Sequence, residues 1–449
     1  MPDSGLPYLV LSNSDGKILD HPHLKLAGRS GNRFLLPHSE ELIPLPRGSQ
    51  MFTLPGRIPL GWDEEAETFV PVRTVGVGSK GYEGHAVAAF LPPGYVRTLL
   101  PATRLLKEAP VLPLWAYSAV GWKNGRFWAT GLFIDSNPHW NPKYFEDDRS
   151  LQRKVGFRLR KNPSNRLLRQ LSRCALEYHC FAAKNVFFGR WECPLPTSPS
   201  CNADCVGCIS LQPSECCPAS QERIDFVPTP DEVVGVALPH LEKAEDAIVS
   251  FGQGCEGEPL MQWRLLEKSI RGLRDKTDRG TINLNTNGSL PDKVAKLCEA
   301  GLDSIRVTLN SASPDLFSRY HRPRGYTLRE AIDSLIRAKE KGKYTSVNLL
   351  VFPGVTDRER ELERLIKLIR RTQLDLIQMR NLNIDPDLYL KEMGSGRGIG
   401  ISEMMDLLKS EFPRLQFGYF NRTRKTFYPP TQIQGTRRPL NNRQDPNRD

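Results

Sequence analysis

The sequence predicts an α/β protein whose core is a partial barrel of six repeated strand–helix units. Two observations indicate this class. After about residue 188, short apolar runs alternate with amphipathic segments of helix length, and polar or glycine-rich residues follow several of the runs. Such alternation is typical of a parallel sheet, because each intervening helix returns the chain to the same end of the sheet. The eight units of a full barrel are not visible in the sequence.

The composition is that of a globular protein with an excess of basic residues. The chain has 449 residues, of which 39% are hydrophobic and 25% are charged, and its formal net charge is +11. No apolar run approaches the roughly 20 residues of a membrane span, and the N-terminus lacks a basic signal region. We therefore expect a cytoplasmic protein with no membrane partner. Its 10 scattered cysteines favour reduced thiolate ligands over a disulfide scaffold.

Residues 1–140 are predicted to form a small β-rich N-terminal domain. One short apolar run ends at Asp15-Gly16, and two aromatic-rich runs flank Asn124-Gly125. An Asn-Gly pair supplies the positive φ angles of a tight hairpin. The sequence therefore predicts paired strands in this part of the chain.

Residues 141–187 predict a basic helical bridge. The stretch 149–173 has nine basic residues and no acidic one, and Arg166, Arg169 and Arg173 share one face of the predicted helix. This face could contact the phosphates of RNA. It could equally be a solvated face or one paired with acidic residues of the core, and charge alone favours that second interpretation.

Residues 188–420 are predicted to form the barrel. Helix boundaries are well marked: Thr229 and Glu232 form a capping pair around Pro230, while Gly301 and Gly342 lie where helices should end. Residues 421–449 are rich in Pro, Asn, Gln and Arg and predict a disordered basic tail. The six predicted strands lie within residues 189–198, 246–254, 281–288, 302–310, 345–354 and 374–382.

Three cysteines are clustered just after the first predicted strand. Cys201, Cys205 and Cys208 are spaced as CxxxCxxC. A structural zinc site normally has four protein ligands, commonly from two CxxC pairs, and no second pair is present. An iron–sulfur cubane held by three thiolates instead keeps one iron open for an outside ligand. Spacing alone therefore favours a cluster over zinc, although Cys216 or Cys217 could supply a fourth ligand.

The motif and its position resemble the radical SAM superfamily, in which CxxxCxxC follows the first strand of a partial (β/α)6 barrel of the TIM type. The resemblance extends to Gly257, Glu258 and Pro259, which end the second predicted strand where the family carries a GGEP-type stretch. It covers about residues 188–400. One departure is Gly207, because the residue before the third cysteine is often aromatic in the family.

The resemblance implies a 4Fe-4S cluster on the three cysteines, with S-adenosylmethionine (SAM) bound to the fourth iron. It implies that the reduced cluster cleaves SAM to a 5'-deoxyadenosyl radical, and that a donor such as flavodoxin or ferredoxin supplies the electron. It further implies that the radical modifies an unidentified peptide, protein or RNA. The residues that the resemblance assigns to SAM are Gly257, Glu258, Pro259, Asn285, Asn310, Ser311, Asn348, Arg380 and Asn381.

Three further questions stay open at this point. A rival hypothesis is a non-catalytic zinc or iron–sulfur protein that binds nucleic acid through its basic surface; it predicts no SAM affinity. The segment Arg319–Tyr326 could face an anionic group of SAM or of a substrate, or be an ordinary charged loop. A second cluster is conceivable, although free cysteine is commonly a small buried apolar residue; the other cysteines are Cys174, Cys180, Cys193, Cys216, Cys217, Cys255 and Cys298.

Overall fold

The computed structural model describes residues 5–75, 82–211, 219–394 and 396–428. Within these residues, every strand pairing before residue 134 is antiparallel, and every pairing between strands after residue 191 is parallel. No helix of the described part is long and apolar enough to cross a membrane.

The N-terminal part is built almost entirely of short strands, eleven of which join one sheet. The predicted hairpin is confirmed: Lys123 lies opposite Arg126, and the intervening Asn124 and Gly125 have φ angles of 52° and 75°. The strands are β1 Tyr8–Ser12, β2 Ile18–Leu26, β3 Gly28–Ser30, β4 Arg33–Leu35, β5 Leu42–Pro44, β6 Gln50–Leu54, β7 Arg57–Asp63, β8 Thr68–Pro71, β9 Thr74–Val75, β10 Tyr82–Glu83, β11 His85–Phe90, β12 Tyr95–Arg97, β13 Leu100–Pro101, β14 Thr103–Leu105, β15 Val120–Lys123 and β16 Arg126–Phe133.

Three helices follow: α1 Asp148–Lys161, α2 Arg166–Leu176 and α3 Phe181–Phe188. The α2 helix begins at Asn165, whose side-chain oxygen accepts a hydrogen bond from the amide of Leu168 at 2.8 Å. Its apolar face is buried in the same hydrophobic cluster as the barrel strands. Because that burial removes apolar surface from water, it fixes the bridge against the barrel.

The core is a parallel sheet of seven strands in sequence order, with helices between them. The predicted α/β class and partial barrel are confirmed; the seventh strand is short and polar, and the sequence gives little sign of it. The first and last strands do not pair with each other among the described residues, so the sheet is open. The elements are β17 Glu192–Pro194, α4 Pro230–Lys243, β18 Ile248–Phe251, α5 Trp263–Arg274, β19 Thr281–Thr286, α6 Pro291–Ala300, β20 Ser304–Leu309, α7 Pro314–His321, α8 Leu328–Glu340, β21 Tyr344–Val351, α9 Glu359–Thr372, β22 Leu376–Asn381, α10 Pro386–Met393, α11 Ile401–Glu411 and β23 Gln416–Gly418.

The segment after β23 packs against the amino-terminal ends of β17 and β21. Asn421 donates a hydrogen bond to Glu192 of β17 at 2.7 Å, and the ring of Phe427 stacks on Tyr344 with centroids 4.3 Å apart. The predicted disordered tail therefore began too early, because residues 421–428 are anchored by these contacts. Residues 429–449 lie outside the described part of the chain.

The N-terminal part contacts the barrel where β22 ends. Arg57 forms an ion pair with Asp385 at 2.6 Å, and both side chains are at most 3% exposed. Arg29 pairs with Asp387 at 2.8 Å. Since functional groups of parallel barrels gather at the carboxyl ends of the strands, the N-terminal part covers one side of the mouth at which a site is expected.

Candidate active site at the carboxyl ends of the strands

The three clustered cysteines lie in the loop that follows β17, at the carboxyl end of the sheet. Burial, and after it the charges of Cys208 and Cys201, raise the pKa of Cys205 well above its ordinary value. Burial, followed by the carboxylate of Glu258, raises the pKa of Cys201 to about 11. The thiols are therefore close enough for the ionisation of one to oppose that of another.

This donor set fits an iron–sulfur cluster. Thiolates are the protein ligands of such clusters, and coordination to a metal removes the proton from a thiol whose surroundings otherwise favour the protonated form. Three thiols leave one cluster iron for an outside ligand. Across the described residues, no three His, Cys, Asp or Glu side chains surround a point at which a single metal ion could sit.

The cysteine loop is held in place by the segment at the end of α7. The amides of Asp204 and Val206 donate hydrogen bonds to the carbonyls of His321 and Tyr320, at 3.1 and 2.9 Å. The guanidinium of Arg324 donates to the carbonyl of Cys201 at 2.8 Å. The segment Arg319–Tyr326, whose role the sequence left open, is therefore a brace for the cysteine loop.

Two of the thiols have polar neighbours. The Nδ1 atom of His321 lies 3.2 Å from the Sγ atom of Cys205. The Nη2 atom of Arg223 lies 3.6 Å from the Sγ atom of Cys208, and the Oγ atom of Ser210 lies 3.7 Å from it. Burial lowers the pKa of His321 to about 3, so the imidazole is neutral.

Gly207, the departure from the family pattern, has a structural explanation. A Cβ atom at this position would lie 3.0 Å from the hydroxyl of Tyr320 and 3.3 Å from the carbonyl of Asn383. A side chain here would be tightly packed and would require Tyr320 or the segment at Asn383 to shift slightly, and Tyr320 already places an aromatic ring beside this part of the loop.

The predicted GEP stretch approaches the cysteine loop through its backbone. The amide of Gly257 donates to the carbonyl of Ser198 at 2.7 Å, and the amide of Glu258 donates to the carbonyl of Ser200 at 2.8 Å. A Cβ atom on Gly257 would lie only 2.1 Å from the Ser200 carbonyl oxygen. Only glycine permits this approach, which joins the ends of β17 and β18.

The carboxylate of Glu258 joins the ends of β18 and β19. It accepts hydrogen bonds from the amides of Asn287 at 2.7 Å and Leu260 at 3.0 Å, and from the hydroxyl of Thr286. Burial raises the pKa of Glu258 to about 7. Its side chain therefore supports the shape of the site, and the backbone of the same stretch remains the surface nearest the cysteines.

Glu256 is a site residue that the sequence reasoning missed. Its carboxylate accepts from the amides of Thr197 at 2.7 Å, Ser198 at 3.0 Å and Gly252 at 2.5 Å. Burial raises the pKa of Glu256 to about 7. The available signal was an acidic residue two positions before Glu258, in a glycine-rich turn directly after a buried strand.

Asn285, Asn348 and Arg380 lie on the three strands β19, β21 and β22. Asn285 donates to the carbonyl of Phe251 at 2.9 Å, Asn348 donates to the hydroxyl of Thr308 at 3.2 Å, and the guanidinium of Arg380 lies 4.3 Å from the ring of Tyr419. The Oδ1 atom of Asn348 is buried and has no hydrogen-bond partner in the described structure. Their assignment to SAM stays a prediction.

Three other predicted SAM residues are engaged away from the cysteine loop. Asn310 donates to the carbonyl of Leu316 on α7 at 3.1 Å, and Ser311 donates to the carboxylate of Glu361 on α9. Asn381 accepts from the amide of Arg97 at 2.9 Å and donates to the carbonyl of Tyr95. Their assignment to SAM stays a prediction. Pro259, the remaining residue of the GEP stretch, is buried at the start of a short 3-10 helix that runs from Pro259 to Gln262.

The remaining described cysteines are buried or nearly so. The thiols of Cys174 and Cys255 form a hydrogen bond that lowers the pKa of Cys174 and raises that of Cys255. Burial raises the pKa of Cys193 to about 12 and that of Cys298 to about 11. Cys180 is also shielded, and burial raises its pKa. Cys216 and Cys217 lie outside the described residues.

Two of the three arginines on the basic face of α2 are paired with acidic side chains, and Arg169 donates to the carbonyl of Pro163. Arg166 lies 2.8 Å from Glu232, and Arg173 lies 2.8 Å from Glu177 and 2.7 Å from Glu222. These contacts favour the interpretation of a charged face paired within the protein over a surface for nucleic acid.

A parallel strand–helix barrel with three cysteine thiols at the carboxyl end of its first strand defines a class of iron–sulfur enzymes. Residues 195–369 match the model of the Radical SAM superfamily, and this segment is a radical SAM domain. Members of the superfamily are enzymes that use a 4Fe-4S cluster and SAM.

The chain is similar to parts of several known proteins. It is 26% identical to the FeMo cofactor biosynthesis protein NifB of Klebsiella pneumoniae, over 36% of this chain and 37% of that protein. It is 30% identical to GTP 3',8-cyclase of Aquifex aeolicus, over 35% of this chain and 47% of that protein. The chain thus spans less than half the length of these two relatives. A solved structure, native anSMEcpe with bound AdoMet, aligns at 16% identity with a TM-score of 0.38, over 50% of this chain and 63% of that chain.

Proposed function

We propose that this protein reductively cleaves SAM at a 4Fe-4S cluster and uses the resulting 5'-deoxyadenosyl radical to modify a substrate. The observation that carries the proposal is the joining of the cysteine loop to the GEP stretch, through the backbone contacts of Gly257 and Glu258. When bound, the cluster supplies the electron that divides SAM into methionine and the radical.

In this proposal the residues of the chain bind the cluster and orient SAM. Cys201, Cys205 and Cys208 hold three irons, and the brace at the end of α7 keeps their loop in one conformation. The carboxylates of Glu256 and Glu258 fix the turn after β18 against the cysteine loop and against β19. An ammonium group can only donate hydrogen bonds, so carbonyl oxygens of this turn would receive the amino group of SAM.

The substrate is proposed to enter at the same mouth, partly covered by the N-terminal part of the chain. By name, one relative acts in FeMo cofactor biosynthesis and another cyclises GTP. The matched share of each is under one half, so we keep the broader proposal of a peptide, protein or RNA substrate. The paired arginines of α2 favour a peptide or protein over RNA.

The proposal also includes a partner and a compartment. A one-electron donor such as flavodoxin or ferredoxin would reduce the cluster. The protein would work in the reducing cytoplasm, where thiols remain free to bind iron.

The test uses full-length protein purified and reconstituted without oxygen. Iron and sulfide per chain are measured, followed by release of 5'-deoxyadenosine after addition of SAM and dithionite. A variant with Cys201, Cys205 and Cys208 all changed to Ala should lose both. Cys298→Ala is the matched control, because Cys298 is buried in α6 away from the loop. Bound zinc in place of iron, together with no SAM cleavage, would contradict the proposal.

A further inference from the structure

His321 is placed against Cys205 by the backbone rather than by its own side chain. The amides on either side of Cys205, those of Asp204 and Val206, donate to the carbonyls of His321 and Tyr320. The two segments therefore run side by side, with the imidazole 3.2 Å from the thiol. Because the backbone fixes both residues, the contact survives small movements of either side chain.

The direction of this hydrogen bond follows from the chemistry of the thiol. A thiolate bound to iron carries no proton and can only accept. The Nδ1 atom of His321 must therefore carry a proton and donate it to the hydrogen bond. In the described structure Nε2 is buried and has no hydrogen-bond partner. The rings of Phe317 and Tyr320 lie 4.5 and 4.9 Å from the imidazole, so its surroundings are largely apolar.

We propose that His321 is a positioning residue that donates an Nδ1–H hydrogen bond to the Cys205 thiolate and thereby raises the reduction potential of the cluster. The inference rests on the proposed function, since it requires the cluster. A hydrogen bond to a ligand sulfur draws negative charge from it, and the reduced cluster carries one more negative charge than the oxidised form. Reduction is therefore favoured when the bond is present.

The hydrogen bond between His321 and Cys205 is shorter than the two contacts described above for Cys208. The contacts of Arg223 and Ser210 with Cys208 are 3.6 and 3.7 Å long, against 3.2 Å for His321 with Cys205. His321 is also 2% exposed, and a hydrogen bond in a dry environment is electrostatically stronger than one exposed to water.

The test compares the midpoint potential of the cluster in reconstituted wild-type protein, His321→Leu and His321→Asn. Leucine removes the donor, whereas the asparagine amide nitrogen is bonded to Cγ, as Nδ1 is in histidine. His321→Leu should lower the potential by about 59 mV, which is a tenfold change in the ratio of oxidised to reduced cluster for one electron. His321→Asn should recover most of that shift. Phe317→Leu is the control, since it loosens the packing on the imidazole but keeps the donor.

A second measurement needs no variant. In wild-type protein labelled with ¹⁵N-histidine, pulsed EPR of the reduced cluster should show a ¹⁵N coupling, and exchange into D₂O should show a deuteron at the same site. Absence of both couplings would overturn the inference, as would equal potentials in wild type and His321→Leu. If wild-type protein yields no reduced-cluster signal at all, the proposed function fails instead, so the two failures are distinguishable.

Discussion

Two pairs of acidic residues hold the mouth of the barrel together in different ways. At the cysteine side, Glu256 and Glu258 accept hydrogen bonds mainly from backbone amides. Where the N-terminal part contacts the barrel, Asp385 and Asp387 face the guanidinium groups of Arg57 and Arg29, and Asp385 accepts hydrogen bonds from backbone amides as well. The first pair shapes a turn within one sheet, and the second pair joins two parts of the chain.

The difference has a physical consequence. Amides carry only partial charge, so burial dominates at the first pair and raises the pKa of Glu256 and of Glu258 to about 7. A buried ion pair depends on both of its members, because removing one leaves the other charged and without compensation. We therefore expect the cysteine side to respond to pH and the N-terminal contact to respond to charge deletion.

The largest effect on stability is expected from Arg57→Leu. This change leaves Asp385, which is 2% exposed, without its cation, and the loss of one member of a buried pair costs about 3–5 kcal/mol. The free energy of unfolding in urea should fall by that amount, and the N-terminal part should become easier to cleave by protease. Arg29→Leu is the matched control with a smaller loss, because Asp387 is 19% exposed in its side chain. Equal losses in the two variants would contradict the comparison.

A smaller loss is expected from Glu256→Gln. The glutamine amide group would turn donors toward the amides of Thr197 and Gly252, so at least one buried donor loses its partner, at a cost of about 1–3 kcal/mol. Because the turn holds the GEP stretch against the cysteine loop, the affinity for SAM should fall along with stability. Calorimetry of unfolding and equilibrium binding of SAM measure the two effects. A variant with unchanged SAM affinity would show that the turn does not position the GEP stretch.

The pH dependence of Glu256 separates the two pairs further. Its pKa is raised to about 7 in the folded protein, so the folded state holds the proton more tightly than the unfolded state does. The contribution of this group is fully present below the unfolded pKa of about 4.3 and is lost as the pH rises through about 7. Between those pH values the free energy of unfolding of wild type should therefore fall by up to about 3 kcal/mol relative to that of Glu256→Gln. Unfolding measured at several pH values for both proteins tests this; parallel curves would contradict it.

The parallel fold could be predicted from the sequence because the patterns that indicate it are local. Apolar runs, the capping pair Thr229 and Glu232, and the glycine at 301 each reflect the backbone of a few neighbouring residues, and the structure shows the capping box as expected. The short strand β23 lacks such a signal, since its three residues, Gln416, Phe417 and Gly418, form no apolar run. The packed residues 421–428 were missed for a different reason: their partners, such as Glu192 and Tyr344, lie far away in the sequence.

The candidate site likewise has features that local sequence patterns predict and features that depend on residues far apart in the sequence. The CxxxCxxC spacing and the GEP stretch are local patterns, and both reach the same end of the sheet. The brace from His321 and Arg324 to the cysteine loop joins residues more than a hundred positions apart, and no local pattern indicates it. The contacts of Ser311 with Glu361 and of Asn381 with the N-terminal strand β12 also join distant parts of the sequence, so no local pattern indicates them.

The smallest effect is expected where acidic residues are exposed. Arg173 pairs with Glu177 and Glu222 on the surface of α2, where all three side chains are more than 40% exposed. Water and salt screen such pairs, so Arg173→Ala should lower the free energy of unfolding less than Arg57→Leu or Glu256→Gln does, and added salt should reduce the difference. The same variant tests the interpretation of this face: a protein that bound RNA through α2 would lose RNA affinity with no matching loss of stability. The carboxylates of Glu177 and Glu222 thus differ from those at the mouth of the barrel. Water solvates them, so removing Arg173 leaves no buried charge without compensation.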